Sequence, residues 1–428
     1  GGGTPSYIRA DYIGMILESV RETFSVSKDA EITIEGNPDS LTRDKLAAYR
    51  DYGINRLSIG LQSANDEMLQ TLGRVHNYDQ FIAAYSNARE VGFANINIDV
   101  MSGLPGESME SYVRTLGKVV ELQPEHISAY SLIVEDGTPL AEDEELLSKL
   151  PSEELDRKQY ARTKLLLSQS GYERYEISNY AKLGKECRHN LVYWTGGEYL
   201  GVGLGAASYM KLDISEYDER YADEDSIMDE YYCEQDSGNC NPVIHNHVTS
   251  DIDDEMNIDG ICDGRIYDNG TDAGEMRDRR IIDNGMVDKE NCDRKTYGSI
   301  IDLSKIHGSD FKCQKEQDEP DQYTAVRFKG IDNIDEYTGR FLRLGTGWTD
   351  ISSISEMIGN CYTDIQALSV KEQMEEFMFL GLRCMRGVSI KEFERRFHKR
   401  IEDVYGHVIE KYVNMGHLIQ GQGRLHLS

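Results

Sequence analysis

Four polar residues of the sequence each have the chemistry to bind a different part of a charged, sugar-containing ligand. They are Glu35 in the segment IEGNP, Gln62 in SIGLQS, Arg74 in LGRVH and Asp99 in NIDVMSGLPGE. A carboxylate can accept hydrogen bonds from both hydroxyls of a ribose, and a guanidinium can hold a carboxylate through two parallel bonds. These residue types together suit a ligand that combines a nucleoside, an amino acid and a positive charge.

The chain opens with the glycine-rich run GGGTPS, which includes Gly2, Gly3 and Thr4. Bare backbone of this kind allows a ligand to approach closely and offers amide donors. A glycine-rich turn is more often structural, however, and this one lacks the Lys-Ser/Thr pair of a P-loop. Combined with the four polar residues, the run favours S-adenosylmethionine (SAM), a ligand that satisfies all of these groups.

A second candidate site is the segment CRHNLVYW, which contains Cys187 and His189. An imidazole beside two large aromatic rings can ligate iron and cover the face of a porphyrin, and a nearby thiol is a second soft ligand. A histidine next to Tyr and Trp is otherwise more often a hydrogen-bonded core residue. The residues alone leave both interpretations open.

The elements that must position these side chains alternate between strand and helix patterns. Strands are predicted at residues 31–35, 56–62, 95–100 and 126–131, and helices at 42–52 and 108–122 lie between them. The unit repeats about every thirty residues, as βα modules do. The pattern predicts a parallel α/β sheet or barrel.

Alternation along these strands indicates that one face is polar. Ile96, Ile98 and Val100 share one face, whereas Asn97 and Asp99 share the other. An ordinary closed barrel has apolar layers inside, so the pattern predicts a polar lumen with its site at the carboxyl ends of the strands. The alternative is a sheet with one solvated face.

The charge is concentrated in one segment. About two thirds of the formal net charge of −30 comes from residues 212–321, which lack a sustained apolar period. We expect a mostly disordered acidic insertion, and its Asp-rich pieces lack a complete calcium-binding loop. So acidic a chain argues against nucleic-acid partners, and the absence of a leader or a long apolar run predicts a cytoplasmic protein without a membrane span.

The eight cysteines show no CxxC or CxxxCxxC spacing, so neither zinc nor cluster ligation is readable from them. The sequence also begins without Met, and we expect that a segment upstream of Gly1 is missing. The sequence leaves the oligomeric state open.

The last hundred residues predict three helices and a small hairpin, a winged-helix pattern. The helices are expected at residues 369–383, from Ser389 with a capping box to Glu392, and at 401–415, with the hairpin at 417–427. DNA binding is the usual function of this shape, and residues 395–400 form a basic cluster. In so acidic a chain, a packing or partner surface is the favoured interpretation.

The motifs GGGTPS, EGNP, RLSIGLQS, LGRVH and NIDVMSGLPGES, in this order, resemble the radical-SAM core of the oxygen-independent coproporphyrinogen oxidase/HemW group. The resemblance covers residues 1–209 and 327–428. It implies a partial parallel (β/α)6-type radical-SAM barrel followed by a winged-helix-like α domain. It also implies SAM contacts from the following residues: Gly2, Gly3, Thr4, Glu35, Gln62, Arg74, Asp99 and, with less support, Ser131.

The same resemblance implies two further cofactors. In the group, a CxxxCxxC loop upstream of GGGTP holds a [4Fe–4S] cluster, and this sequence starts after the position of that loop. The HNxxYW pattern is characteristic of HemW-type members, so His189 is the expected axial ligand of haem. The domains are then expected at residues 1–182 (barrel), 183–211 (HNxxYW segment), 212–325 (acidic insertion) and 326–428 (C-terminal domain).

The function expected from the resemblance is that of a haem chaperone delivering haem to apo-haemoproteins. The rival expectation is an enzyme, a coproporphyrinogen III oxidase that performs a SAM-dependent oxidative decarboxylation in porphyrin biosynthesis. A third interpretation is an inert fragment that binds neither ligand.

Overall fold

The computed structural model describes residues 4–211, 323–338 and 362–428. In these ranges the strands are β1 (Thr33–Gly36), β2 (Arg56–Gln62), β3 (Ile96–Ser102), β4 (His126–Ser131), β5 (Glu173–Arg174), β6 (Asn179–Ala181), β7 (Ala207–Lys211), β8 (Tyr323–Gly330), β9 (Tyr362–Ser369), β10 (Val388–Ser389), β11 (Leu418–Gly421) and β12 (Arg424–Leu427). The helices are α1 (Ala10–Thr23), α2 (Arg43–Asp51), α3 (Asp66–Thr71), α4 (Tyr78–Glu90), α5 (Met109–Glu121), α6 (Glu144–Leu147), α7 (Glu153–Gln169), α8 (Arg188–Trp194), α9 (Val370–Gly381), α10 (Ile390–Phe397) and α11 (Ile401–Asn414).

A six-stranded sheet with the order β1-β2-β3-β4-β6-β5 forms the centre of the first part of the chain. The first four strands are parallel, each reached through a helical crossover, whereas β6 runs antiparallel to β4 and to β5. The connection between β5 and β6 is too short for a crossover, so this pair forms a hairpin. The predicted α/β fold is confirmed, and its parallel part comprises four strands.

Apolar residues of alternate strand positions form the core between sheet and helices. Ile59, Ile98 and Ile127 are fully buried and pack with Leu46 and Phe81 of the helix layer. Polar residues occupy the other positions of the same strands, so the predicted polar inner face is confirmed. Burial of this core stabilises the sheet and fixes which side chains face inward.

Local capping agrees closely with the helix starts read from the sequence. Thr42 and Ser108 accept hydrogen bonds from the backbone N–H of Lys45 and Ser111, so α2 and α5 begin one residue after the predicted hydroxyls. The predicted capping box at Ser389 forms only in part. Ser389 accepts from the Glu392 N–H, but the Glu392 carboxylate binds Arg395 and Arg396 instead of turning back. Two charge-assisted bonds outcompete the reciprocal cap.

The predicted winged-helix pattern is present in the described C-terminal residues. Helices α9, α10 and α11 pack around Phe393, which is fully buried, and β10, β12 and β11 form a three-stranded sheet. A second three-stranded sheet joins β7, β8 and β9 in antiparallel order, so strands from both sides of the acidic insertion pair with each other. The predicted insertion itself lies, up to residue 322, outside the described residues.

Candidate functional site

The rim is the edge of the sheet at the carboxyl ends of strands β1 to β4, and a contact between Thr4 and the loop after β1 forms its first part. The Asn37 side-chain amide donates to the Thr4 hydroxyl at 3.3 Å, which brings the start of the described chain next to the EGNP motif. Gly60 of β2 faces the same space, because a Cβ there would lie 3.3 Å from the Asn37 oxygen and 2.9 Å from the Gln62 side-chain nitrogen. A glycine at this position therefore keeps the rim open.

Gln62 ends β2 in a conformation that side chains rarely adopt. Its φ is +70°, and the register with β3 shifts between Gly60 and Gln62. The bulge turns the Gln62 amide toward β4, where its oxygen accepts a bond from the Tyr130 hydroxyl at 3.0 Å. Backbone strain retained at such a position is typical of a functional site.

Arg74 is held against the end of β2 through a neighbouring histidine. His76 is buried and donates a ring N–H to the Leu61 carbonyl at 3.3 Å, which anchors the LGRVH loop. The Nε of Arg74 is buried without a hydrogen-bond partner among the described residues. The positive charge of Arg74 acts on the pKa of Tyr130 and opposes the rise that burial causes there. Arg74 thus lies beside the Gln62–Tyr130 pair with donor capacity to spare.

Among the rim residues, Asp99 is the carboxylate whose pKa departs most from its ordinary value. Burial raises its pKa to about 6, and the negative charge of Glu35 contributes to the rise. Its two oxygens accept bonds from the Asn97 side-chain amide at 2.7 Å and from the Ser58 hydroxyl at 3.4 Å. Proton uptake by this group near neutral pH is a property that functional carboxylates share.

The structure therefore brings most of the predicted SAM-binding residues together. Those that converge on the rim are Thr4, Glu35, Gln62, Arg74 and Asp99. Gly2 and Gly3 lie outside the described residues. The Ser131 hydroxyl donates to Asp156 of α7 at 2.6 Å, on the side of the sheet opposite to Tyr130. Tyr130, which the sequence reasoning missed, occupies the inward position, and the alternation of the segment HISAYS was the signal for it.

A chain of buried hydrogen bonds continues from Asp99 across the inner face of the sheet. The Asn97 amide donates to the ionisable oxygen of Asp99, so its own oxygen faces His126 and accepts from Nδ1 at 2.6 Å. Nε2 of His126 then accepts from the Tyr175 hydroxyl at 2.8 Å, and Tyr175 accepts from the Cys187 N–H at 3.3 Å. Burial holds the pKa of His126 well below its usual value, so the ring is neutral and this direction of donation is fixed.

The helix α8, which carries the HNLVYW motif, is capped by a carboxylate distant in sequence. Glu31 accepts bonds from the backbone N–H groups of Arg188, at 3.2 Å, and His189, at 3.4 Å, and from the Cys187 thiol at 3.4 Å. Its charge complements the positive end of the helix dipole. Because Cys187 itself provides no side-chain cap, Glu31 determines where α8 begins.

His189 lies on the accessible side of this helix rather than in the core. Partial burial lowers its pKa, so the imidazole is neutral at neutral pH. Its ring contacts the edge of Tyr193 at 4.8 Å between centroids, and Tyr193 contacts Tyr199 at 4.5 Å. Within the described part of the chain neither ring nitrogen of His189 has a hydrogen-bond partner. A neutral, accessible imidazole beside an aromatic row fits an axial ligand of haem iron.

The described cysteines do not fit metal ligation. Burial raises the pKa of Cys187 to about 11 and that of Cys384 to about 12, so both thiols stay protonated. The suggestion that Cys187 is a second soft ligand is therefore not supported by its environment. Residues 4–211, 323–338 and 362–428 contain no cluster of three or more His, Cys, Asp or Glu side chains arranged for a metal ion.

The opposite side of α8 packs against the C-terminal helices. The Arg383 guanidinium lies over the Trp194 ring at 4.8 Å, and Arg396 donates to the Gly196 carbonyl at 3.0 Å. The Met385 N–H also donates to the Tyr175 carbonyl at 3.0 Å. Helix α8 is thus fixed from the barrel by Glu31 and from the C-terminal domain by arginine contacts.

Comparison with known proteins shows which families two ranges of the chain resemble. Residues 1–119 match the Radical SAM superfamily, and residues 368–428 match the HemN C-terminal domain. The matched N-terminal range contains the rim residues from Thr4 to Asp99, so the predicted resemblance is confirmed for the part of the chain that carries them.

Curated relatives of this chain include several proteins named heme chaperone HemW. The chain is 37% identical over 215 residues to the protein of Bacillus subtilis (strain 168), which covers 49% of this chain and 56% of that protein. It is 38% identical over 212 residues to the Escherichia coli (strain K12) protein, covering 48% and 54%. The chain thus spans about half the length of the curated relatives it matches.

A solved structure shows the same fold. Coproporphyrinogen III oxidase (HemN) from Escherichia coli, described as a radical SAM enzyme, superimposes with a TM-score of 0.61 at 17% sequence identity, covering 100% of this chain and 73% of that chain. At this identity the likeness establishes the architecture alone. Among the described helices, none is long and apolar enough to span a membrane.

Proposed function

We propose that this radical-SAM-family protein binds haem through His189 and acts as a haem chaperone that delivers haem to apo-haemoproteins. The observation that carries the proposal is the state of His189, whose imidazole is neutral, accessible and without a hydrogen-bond partner among the described residues. Glu31 and the C-terminal arginines hold the helix that presents it. The curated relatives named heme chaperone HemW support the same function.

We further propose that the rim binds SAM. Glu35 and Asp99 would accept bonds from the ribose hydroxyls, Gln62 would orient the nucleoside, and Arg74 would bind the carboxylate of the methionine moiety. SAM bound in a protein of this superfamily serves as a source of radical chemistry. The buried, unpartnered Nε of Arg74 and the open space kept by Gly60 support this assignment.

Two finer parts of the proposal rest on the relatives. Apo-haemoproteins are the proposed recipients because they are what a haem chaperone serves. The cytoplasm is the proposed location of this haem delivery. The alternative activity, oxidation of coproporphyrinogen III, has the support of the shared fold with HemN. Anaerobic conversion of coproporphyrinogen III to protoporphyrinogen by the reconstituted protein would favour that alternative.

The proposal is tested by titrating the purified chain with haem and recording the Soret absorbance. The wild-type protein should develop a saturable Soret band, and His189→Ala should weaken binding by at least about tenfold because an axial bond to iron is lost. His407→Ala serves as the matched control, since His407 is an exposed histidine of α11 far along the chain from α8. Equal haem binding by the wild-type and His189→Ala proteins would refute the assignment of the ligand.

A further inference from the structure

Arg56, the first residue of β2, is a buried cation whose charge has no partner among the described residues. Its side chain is 3% exposed, its Nε is fully buried without a hydrogen-bond acceptor, and no ion pair or hydrogen bond to its guanidinium occurs within the described residues. Arg89, by contrast, is a partly buried arginine that forms an ion pair with Glu125 at 2.8 Å. Arg56 is left without one.

An unpaired buried charge is costly. Moving a cation out of water costs several kcal/mol unless an anion and hydrogen bonds replace the lost hydration. Residues with such a cost are retained where a ligand supplies the missing partner, and ligand sites accordingly tend to lower the stability of the free protein. The guanidinium, with its planar fork of donors, is suited to a carboxylate that binds through both oxygens.

The surroundings of Arg56 place it between the rim and α8. The backbone N–H of Arg56 donates to the Ile32 carbonyl at 3.1 Å, and the adjacent Glu31 accepts the bonds from the first residues of α8. The positive charge of Arg56 also opposes the rise in the pKa of Asp99 and contributes to the lowered pKa of His189. The same charge contributes to the lowered pKa of His126 and opposes the rise in the pKa of Tyr175. Arg56 therefore lies within electrostatic range of the proposed haem ligand.

The three acidic residues near this position are already occupied or turned elsewhere. Glu31 accepts three bonds from the first residues of α8, and Asp99 accepts bonds from Asn97 and Ser58. Glu35 is exposed at the rim. The described carboxylates thus leave the guanidinium available to an external anion.

Two residues of β1 that lie beside Arg56 on the same face are accessible. Arg56 pairs with Thr33 of β1, and Glu35 lies two residues further along the same face. Thr33 is partly exposed and Glu35 is exposed. A narrow, flexible carboxylate arm can enter where a whole ring system cannot.

We propose that Arg56 binds a carboxylate of the bound ligand, and that this carboxylate is a propionate of haem whose iron is bound by His189. The assignment rests on the proposed function, because it requires haem at His189. It adds a second anchor point: iron coordination fixes the centre of the porphyrin, and the guanidinium fixes one side of it. Two anchors determine orientation as well as affinity.

The experiment compares haem with haem dimethyl ester, in which both propionates are esterified and uncharged. We expect the wild-type chain to bind haem at least about tenfold more tightly than the ester, as a charge-assisted bidentate pair contributes that much or more. Arg56→Gln should bind both compounds with the weak affinity of the ester. Arg56→Lys should fall between them, because it keeps the charge without the fork. Arg43→Gln, an exposed arginine on α2, is the matched control and should retain the wild-type preference.

Thermal unfolding of the ligand-free variants separates a binding role from a structural one. Arg56→Gln should unfold at the wild-type temperature or above it, because it removes an unpaired buried charge. If Arg56→Gln still prefers haem to its ester by the wild-type factor, the assignment of Arg56 is overturned while haem binding stands. If the wild-type chain binds neither compound, the proposed function fails and this assignment with it.

A second source of the carboxylate is the amino acid of the nucleoside ligand, and two further compounds distinguish it. S-adenosylhomocysteine carries that carboxylate, whereas 5′-methylthioadenosine lacks it. We expect Arg56→Gln to leave the affinities for both nearly unchanged. A selective loss of S-adenosylhomocysteine binding, with the preference for haem intact, would transfer Arg56 to the nucleoside site and overturn the propionate assignment.

Discussion

The hydroxyl of Tyr175 lies 2.8 Å from Nε2 of His126, and this bond joins the inner face of the barrel to the start of the helix that carries His189. Tyr175 donates to the ring and accepts from the Cys187 N–H, while His126 donates onward to Asn97 beside Asp99. One buried phenol thus satisfies groups on both sides. The two proposed binding sites are connected through a continuous set of fixed hydrogen bonds.

Removal of this phenol should destabilise the fold. Tyr175→Phe leaves Nε2 of His126 and the Cys187 N–H without a partner in a buried position. We expect a loss of about 1–3 kcal/mol in the free energy of unfolding, measured by urea denaturation. Tyr12→Phe is the control, because Tyr12 is about half exposed and its ring contact with Arg9 does not need the hydroxyl. A loss below that of the control would mean that water satisfies these groups.

Asp99 predicts a pH dependence of nucleoside binding. Its pKa is raised to about 6, and only the ionised carboxylate accepts hydrogen bonds from both ribose hydroxyls. The affinity for S-adenosylhomocysteine should be constant above about pH 7 and fall toward tenfold per pH unit below pH 6. Isothermal titration calorimetry from pH 5 to 8 measures this.

Two variants test whether Asp99 causes the pH dependence of nucleoside binding. Asp99→Asn should bind weakly at every pH, and Asp44→Asn, at an exposed position of α2, should follow the wild-type curve. A flat pH profile for the wild-type protein would remove Asp99 from the nucleoside site.

Substitution of Gly60 should change the affinity for the nucleoside much more than the stability of the fold. A Cβ at this position meets the movable end of the Gln62 side chain at 2.9 Å, so the fold can adjust while the rim narrows. Gly60→Ala should reduce the affinity for S-adenosylhomocysteine at least about fivefold, with a small change in melting temperature. Gly117→Ala in α5 is the control, since a Cβ there meets nothing within 4 Å. It should raise stability by about 0.5–1 kcal/mol and leave binding unchanged. Unaltered affinity in Gly60→Ala would place the ligand elsewhere.

Glu107 predicts a loss of stability as the pH rises. Burial raises its pKa to about 7 from an ordinary value of 4.5, and neither carboxylate oxygen has a hydrogen-bond partner among the described residues. The folded state therefore binds this proton more tightly than the unfolded state. The stabilisation is complete below about pH 4.5 and is lost as the pH passes 7, by about 3 kcal/mol in all.

Glu107→Gln should abolish that dependence, because the amide has no charge to bury. Urea denaturation measures the free energy of unfolding at pH 5 and pH 8. The variant and the wild-type protein should have similar values at pH 5, and the variant should be clearly more stable at pH 8. Glu110→Gln is the control, because Glu110 is an exposed residue in the first turn of α5, and it should keep the wild-type difference in stability between the two pH values. Parallel curves for the wild-type and Glu107→Gln proteins would show that Glu107 stays protonated or is solvated.

The sequence by itself determined the periodic and local features of this protein. Strands β2 and β4 have the predicted bounds, and the hydroxyls of Thr42 and Ser108 cap their helices, because these features depend on alternation and on neighbours within a few residues. The rim residues Glu35, Gln62 and Asp99 were also readable, since parallel strands present their carboxyl ends at one edge. The motif order predicted the resemblance to radical SAM proteins, which the matches over residues 1–119 and 368–428 confirm for those ranges.

Only the tertiary structure decided the contacts that span long stretches of sequence. Glu31 caps a helix that begins about 157 residues later, and Tyr175 completes a bond network that starts on β3, although neither residue belongs to a recognisable motif. The pairing of Glu392 with Arg395 and Arg396 replaced the predicted capping box for a similar reason, because competing partners are known only once the side chains are placed. The isolation of Arg56 is likewise a property of the folded interior, since burial and the absence of an anion cannot be read from the letters RLSIGLQ.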